Sequence, residues 1–203
     1  MSSSLGISSW VRITSEKITS SFDISNFTEH ADNQNVTNIY RKLNIDYPKF
    51  FKMDGQSKLG FVGAYILLDD IRAELHANDE AVALLFANSS SSLQTDRKYQ
   101  ETIGKHGTGS PAKFVYTLPN IVIGEVCIYW KQYNETQLLV LTKFDSETLL
   151  KHAEIMFAES DCKHVLIGWT EVGNDRTDGL FVLVTKNGSG VATVNDLSQL
   201  YSQ

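Results

Sequence analysis

The spacing of apolar residues switches along the chain between two rhythms. One is continuous or alternating and marks strands; the other recurs every three to four residues and marks helices. Residues 6–13, GISSWVRI, read as a first strand, and residues 20–48 as polar and irregular. SKLGFVGAYILLDDIRAEL (57–75) places Leu59, Val62, Ile66 and Leu67 at helical spacing, with Gly60 and Gly63 positioned for close packing against a neighbour. EAVALLFAN (80–88) is an apolar run of strand length, the pattern of a strand covered on both faces. SSSSLQTDRKYQETIGKHGTGS (89–110) is polar and reads as flexible at its ends, and PAKFVYTLPN (111–120) as extended between its two prolines. Pro119 suits a helix first turn, so NIVIGEVCIYWKQY (120–133) reads as a helix, apolar almost all round and therefore buried or in an interface.

The remaining elements follow in quick alternation. TQLLVLTKF (136–144) is a third strand, DSETLLKHAEIMFAES (145–160) a helix, KHVLIGWTE (163–171) a fourth strand and GLFVLVTK (179–186) a fifth. The turn-rich VGNDRTD between the last two suits an antiparallel hairpin. VNDLSQLYSQ (194–203) forms a short final helix. Strands alternating with helices predict an α/β fold around a five-stranded, mostly parallel mixed sheet. With no internal repeat and no linker, residues 1–203 are expected to form a single domain.

Composition narrows the function classes. The net charge of −6 argues against nucleic acid as a general partner, because phosphate binding needs a basic face. No apolar run approaches the ~20 residues that cross a bilayer. The opening MSSSLGISSW has neither the charged nor the apolar region of a secretory signal. A cytoplasmic protein is expected, in which the sequons at Asn26 and Asn134 are chance matches. The two cysteines, Cys127 and Cys162, have no CxxC spacing and suit a reducing compartment.

Candidate chemistry is sparse. GKHGTGS (104–110) is Gly-rich but lacks the Lys-Ser/Thr ending of a phosphate-binding loop and follows no strand, so a plain loop is expected. His30, His76, His106, His152 and His164 show no metal-ligand spacing, and neither a metal nor a cofactor is expected. Cys127 sits between Val126 and Ile128, as a buried structural thiol would, and Cys162 lies at a helix C-terminus, which disfavours thiolate. Asp79 and Glu80 read as a solvated loop. Arg41, Lys42, Lys49, Lys52 and Lys58 form a local basic excess, either an ordinary solvated face or a seat for an acidic partner.

Two stretches, FFKMDGQSKLGFVGAYILL and GSPAKFVYTLPNIVIGEVCI with its Asn-x-x-x-Gly at Asn120 and Gly124, resemble the N-terminal half of a β-ketoacyl synthase, the condensing enzyme of the thiolase superfamily. The strand, junction, helix and strand from Leu138 to Glu171 are similar in length to that family's nucleophile region. The resemblance, strongest over residues 40–172, implies a thiolase-like half-sandwich. It also implies a site where a cysteine at a helix N-terminus is activated and the backbone N–H groups bind a thioester oxyanion. Aligned on VLTKF, that position holds Phe144, give or take one residue, flanked by Lys143 and the N-cap Asp145. The family's catalytic histidines lie in a C-terminal half that has no counterpart here. No catalytic residue is therefore assigned, and a non-catalytic role is expected.

The helix after the junction has Leu149, Leu150, Ala153, Met156 and Phe157 on one arc and Glu147, Lys151, Glu154 and Ala158 on the other, with Ile155 the misfit. A wet face there fits a half-sandwich that stands as a short protein in its own right. The resemblance further implies dimerisation through TQLLVLTKF near NIVIGEVCIYW, with a second copy or a full-length ketosynthase. It also implies an acyl-carrier-protein patch carried over to Lys49 and Lys52. The expected role is that of a subunit partner or carrier-docking piece in fatty-acid, polyketide or aryl-polyene-type synthesis. The alternatives are an acyltransferase or hydrolase with a relocated nucleophile, and a structural or ligand-binding α/β domain.

Overall fold

The computed structural model describes residues 5–24, 35–77, 81–173, 176–186, 188 and 190–203. Asn26, His30, Asp79 and Glu80, and the side chains of His76 and His106, lie outside the described residues. The chain runs β1 (Leu5–Thr14), β2 (Ile18–Ser20), α1 (Val36–Lys42), a 3-10 turn (Pro48–Lys52), α2 (Gly55–Asp70), α3 (Arg72–Ala77) and β3 (Val82–Asn88). It continues through α4 (Leu93–His106), α5 (Pro111–Phe114), a second 3-10 turn (Val115–Thr117), α6 (Ile121–Trp130), β4 (Thr136–Val140), α7 (Ser146–Glu159), β5 (His164–Val172), β6 (Thr177–Lys186) and α8 (Val194–Ser202).

The strands form one mixed sheet in the order β2-β1-β6-β5-β3-β4. β3 is parallel to β4 and β5, while β6 is antiparallel to both β5 and β1, so β1, β3, β4 and β5 share one direction. The sheet has six strands rather than five; the extra one, β2, is a three-residue edge paired with β1 and too short to leave a period in the sequence. β5 and β6 form the expected hairpin.

Alternate residues of each strand enter opposite cores, as the period of two requires. Leu84, Phe86, Leu166, Phe181 and Leu183 face one side, with α2, α6 and α1. Leu85, Ala87, Val165, Ile167, Val182 and Val184 face the other, with α7 and α8. α2 is buried along most of its length from Ser57 to Leu68, and its glycines explain how it packs so close. A methyl group on Gly60 would collide with Val122 of α6, and one on Gly63 with the Phe181 ring of β6. α7 is amphipathic as its arcs predict: Leu149, Leu150, Ala153, Met156 and Phe157 are buried, Glu147, Lys151 and Glu154 exposed, and Ile155 half-buried.

Three segments differ from the sequence reading. Residues 93–106 form helix α4, closed by Gly107 at φ 72° with its N–H on the Ile103 carbonyl. Few apolar residues mark that helix, so its polar sequence reads as loop. Residues 111–117 are helical rather than extended, because Pro111 takes the first-turn position that its missing N–H allows. α1 lies inside the stretch read as irregular, its N-terminus capped by the Asn35 side chain on the Thr37 N–H. Among the described residues no helix is long and apolar enough to cross a membrane.

Gly63→Ala is expected to destabilise the protein by about 1–3 kcal/mol in urea denaturation, because Phe181 must move. Gly104→Ala, inside α4 with nothing within 4 Å of the added carbon, should instead gain about 0.5–1 kcal/mol.

Candidate functional site

β4 is an edge strand that stops at Val140, four residues before Phe144. The chain leaves the sheet with the Leu141 N–H on the Asn88 carbonyl at 2.8 Å, and α7 begins at Ser146. Asp145 is its N-cap, as expected. One carboxylate oxygen accepts the Glu147 and Thr148 N–H groups, each at 3.1 Å, and the other accepts the Thr148 hydroxyl at 3.0 Å. The backbone and hydroxyl bonds from Thr148 hold the Asp145 carboxyl below its ordinary pKa. Two first-turn N–H groups that could meet an oxyanion are thus already taken by a fixed negative charge. Lys143 is exposed.

Phe144 turns inward. Its ring stacks on Tyr201 of α8 at 4.0 Å and 8°, and meets Trp169 of β5 edge-on at 5.7 Å and 89°. Tyr201 is itself tied down: its hydroxyl donates to Asp178 Oδ2 at 2.8 Å, and the Arg12 guanidinium lies 4.7 Å from its ring centroid. Burial, then the bond to Asp178, pushes the Tyr201 phenol up to about 12. Asp178, only 2% exposed, also pairs with Arg12 Nη1 and Arg176 Nη2, each at 2.6 Å. Arg12 Nε donates to the Tyr201 carbonyl at 3.1 Å, and the Ser146 and Ser198 hydroxyls meet at 2.7 Å. The last helix is thereby fastened over the junction. The sequence reading missed Arg12, Asp178 and Tyr201. Asp178 read as part of the turn before the fifth strand; in the structure β6 begins at Thr177, which sets Asp178 diagonally across from Arg12 of β1.

A second cluster of backbone donors lies beside the junction, where β3 ends. Ser89 and Ser90 both direct their N–H groups at Glu171 Oε1, the Ser90 bond measuring 2.8 Å. Buried Asn88 donates to Gln56 Oε1 at 2.8 Å and Gln56 donates to Ser90 Oγ at 2.9 Å, which fixes the loop. Open α/β sheets bind ligands at the carboxyl ends of their strands. Here both backbone donor sites at that edge are filled by carboxylates of the chain itself.

The other predicted residues lie on the opposite face of the sheet. Lys49 Nζ sits 2.8 Å from Oε2 of Glu125, whose side chain is 1% exposed, while Tyr116 donates its hydroxyl to Oε1 at 3.0 Å. Burial, then the bond to Glu125, raises the Tyr116 phenol. Lys52 is exposed at the end of the same turn, beside exposed Phe51. Glu125 was passed over as one polar position in an apolar helix. The structure does not bring Lys49 and Lys52 to the Phe144 junction.

Neither thiol lies at the junction. Cys162 is buried, and Cys127 is half-buried with its thiol pushed up by burial. Cys127 lines a groove of about 440 Å³ between α6 and β4, with Asn120, Ile123, Gly124 and Leu138. The outer edge of β4 pairs with no described strand, and Val140 and Ile128 are 54% and 52% exposed. The Gly-rich 104–110 segment spans the C-terminal end of α4, the wrong end of the dipole for a phosphate. Among the described residues no three His, Cys, Asp or Glu side chains converge as metal ligands.

Asp145→Ala is expected to cost about 0.5–2 kcal/mol at neutral pH. Because the folded-state pKa is lowered, this contribution is complete above the ordinary Asp range near 3.9 and fades as pH falls through the folded value. Urea midpoints of wild type and variant should therefore converge at low pH. Phe144→Ala should cost about 2–4 kcal/mol through lost packing, whereas Tyr201→Phe keeps the stack and loses only the bond to Asp178, about 1–3 kcal/mol. Thermal denaturation of the two variants measures both.

No protein-family model matches the sequence, and no curated protein matches it. Solved structures match its fold. A chain from a ketosynthase in complex with its chain length factor from Xenorhabdus doucetiae aligns over 98% of this chain and 90% of its own, with TM-score 0.63 and 12% identity. The ishigamide ketosynthase/chain length factor aligns over 92% of this chain with TM-score 0.67 and 12% identity, and this chain spans 63% of its length. A chain from the complex of a type II polyketide synthase acyl carrier protein with its ketosynthase aligns over 91% of this chain and 62% of its own length, with TM-score 0.60 and 13% identity. The chain carries the thiolase-like α/β fold of the ketosynthases and chain length factors.

Proposed function

We propose that this protein is a ketosynthase-like subunit with no condensing chemistry of its own. It pairs with a full-length ketosynthase in cytoplasmic fatty-acid, polyketide or aryl-polyene-type synthesis, as a chain length factor does in the structures of like fold. The observation that carries this reading is the filled junction. Phe144 stacks under Tyr201 where the resemblance aligns a nucleophile, and Asp145 consumes the N–H groups that would stabilise an oxyanion. A nucleophile relocated to a cysteine finds little support, because burial raises the Cys127 thiol and Cys162 is 1% exposed.

The pairing surface is the open edge of β4 with the groove beside α6. An unpaired edge with half-exposed Leu138 and exposed Val140 offers backbone hydrogen bonds and apolar cover together. Carrier-protein docking is a second element of this reading. It is favoured by Lys52, an exposed cation beside the exposed Phe51 ring, which suits an acidic partner with an apolar contact face.

Co-expression with a full-length type II ketosynthase from the same cell should yield a stable heterodimer, and Val140→Lys should dissolve it without lowering the thermal midpoint of the free chain. The purified chain alone should not decarboxylate malonyl thioester. Turnover abolished by Cys127→Ala, or a lack of any complex with the ketosynthase, would falsify the proposal.

A further inference from the structure

Glu125 is a fully buried carboxylate in the middle of an apolar helix, a costly placement unless its partners are held in place. It touches two separate surface segments: Lys49 from the 3-10 turn Pro48–Lys52, and Tyr116 from the turn Val115–Thr117. These turns carry large exposed apolar side chains, Phe51 on one and Phe114, Val115 and Leu118 on or beside the other, at 42–53% exposure. Lys52 and Lys113 are exposed among them. Lys49 is different: its side chain is 42% exposed, but its ammonium pairs at 2.8 Å with a carboxylate whose side chain is only 1% exposed.

We propose that Glu125 is a positioning residue that clamps the 48–52 and 115–117 turns to α6, so that Phe51, Lys52 and Phe114 present one surface to an acyl carrier protein, and that Lys49 belongs to the clamp rather than to the docking charge. This rests on the carrier-docking element of the proposed function. The chemistry of the surface suits that occupant: apolar rings for a contact face, with cations at the rim for acidic side chains. Removing the carboxylate frees the Lys49 ammonium but lets the two turns move independently. Removing Lys49 instead strands the buried charge, which is the more damaging change.

The test uses the full chain and a holo acyl carrier protein of the type II class. In Glu125→Gln, amide hydrogen exchange should rise together in residues 48–52 and 115–117 and stay unchanged in α7. Lys49→Ala should lower the denaturation midpoint more than Glu125→Gln, and the double variant should recover most of that loss. Carrier affinity should fall several-fold in Glu125→Gln with an unchanged salt slope, whereas Lys52→Ala should flatten the slope. Tighter carrier binding with a steeper slope in Glu125→Gln would make Lys49 a docking cation and overturn the proposal, as would unchanged exchange in either turn. If the wild-type chain binds no carrier, the docking reading fails, while the exchange and stability measurements still decide the role of Glu125.

Discussion

The buried carboxylate of Asp178 is the interaction on which the shape of the junction depends. An isolated charge there would cost several kcal/mol, and it is tolerated because two guanidinium groups and a phenol converge on it. Those partners come from β1, the β5–β6 turn and the last helix, so one side chain ties both ends of the described chain to the middle of the sheet. Tyr201 is thereby set at the height where its ring lies flat on Phe144, and the ring of Trp169 closes the third side. The packing of Phe144 at the junction therefore depends on core electrostatics as well as on its own ring.

A catalytic site needs dipoles that are aligned but unspent, waiting for charge that develops only during reaction. The carboxyl edge of this sheet has the alignment and has spent it. Asp145 neutralises the start of α7, and Glu171 occupies the amides that follow β3. The opposite holds along β4 and the outer side of α6, where the strand edge pairs with no described strand and apolar surface is exposed. Amides already paired at the strand ends, beside an open apolar strand edge, are the contrast on which the proposed pairing rests.

Much of this could be read from the chain, and what could not has physical causes. β3, β5, β6 and α2 were legible because burial on both sides makes them apolar runs, α7 because burial on one side imposes a period, and Asp145 because a capping carboxylate ahead of an amphipathic run is a local signal. α4 was not, because it is polar overall and carries few apolar side chains, and β2 was not, because three residues cannot show an alternation. The placement of Phe144 at the junction was legible, but its partner Tyr201 was not: stacking between distant segments leaves no trace in local spacing. Lys49 looked like surface charge for the same reason, since only the folded chain brings Glu125 to it.

α6 joins two kinds of constraint on one short rod. Its inward side is pinned by the Glu125 carboxylate, and its outward side offers Gly124 and Cys127 to the groove and leaves Ile128 exposed. A rod held in this way cannot roll to accommodate a bulkier neighbour. Over evolutionary time the groove can therefore be retuned by exchanging one side chain for another, each change felt locally, while the inner anchor holds the helix in place.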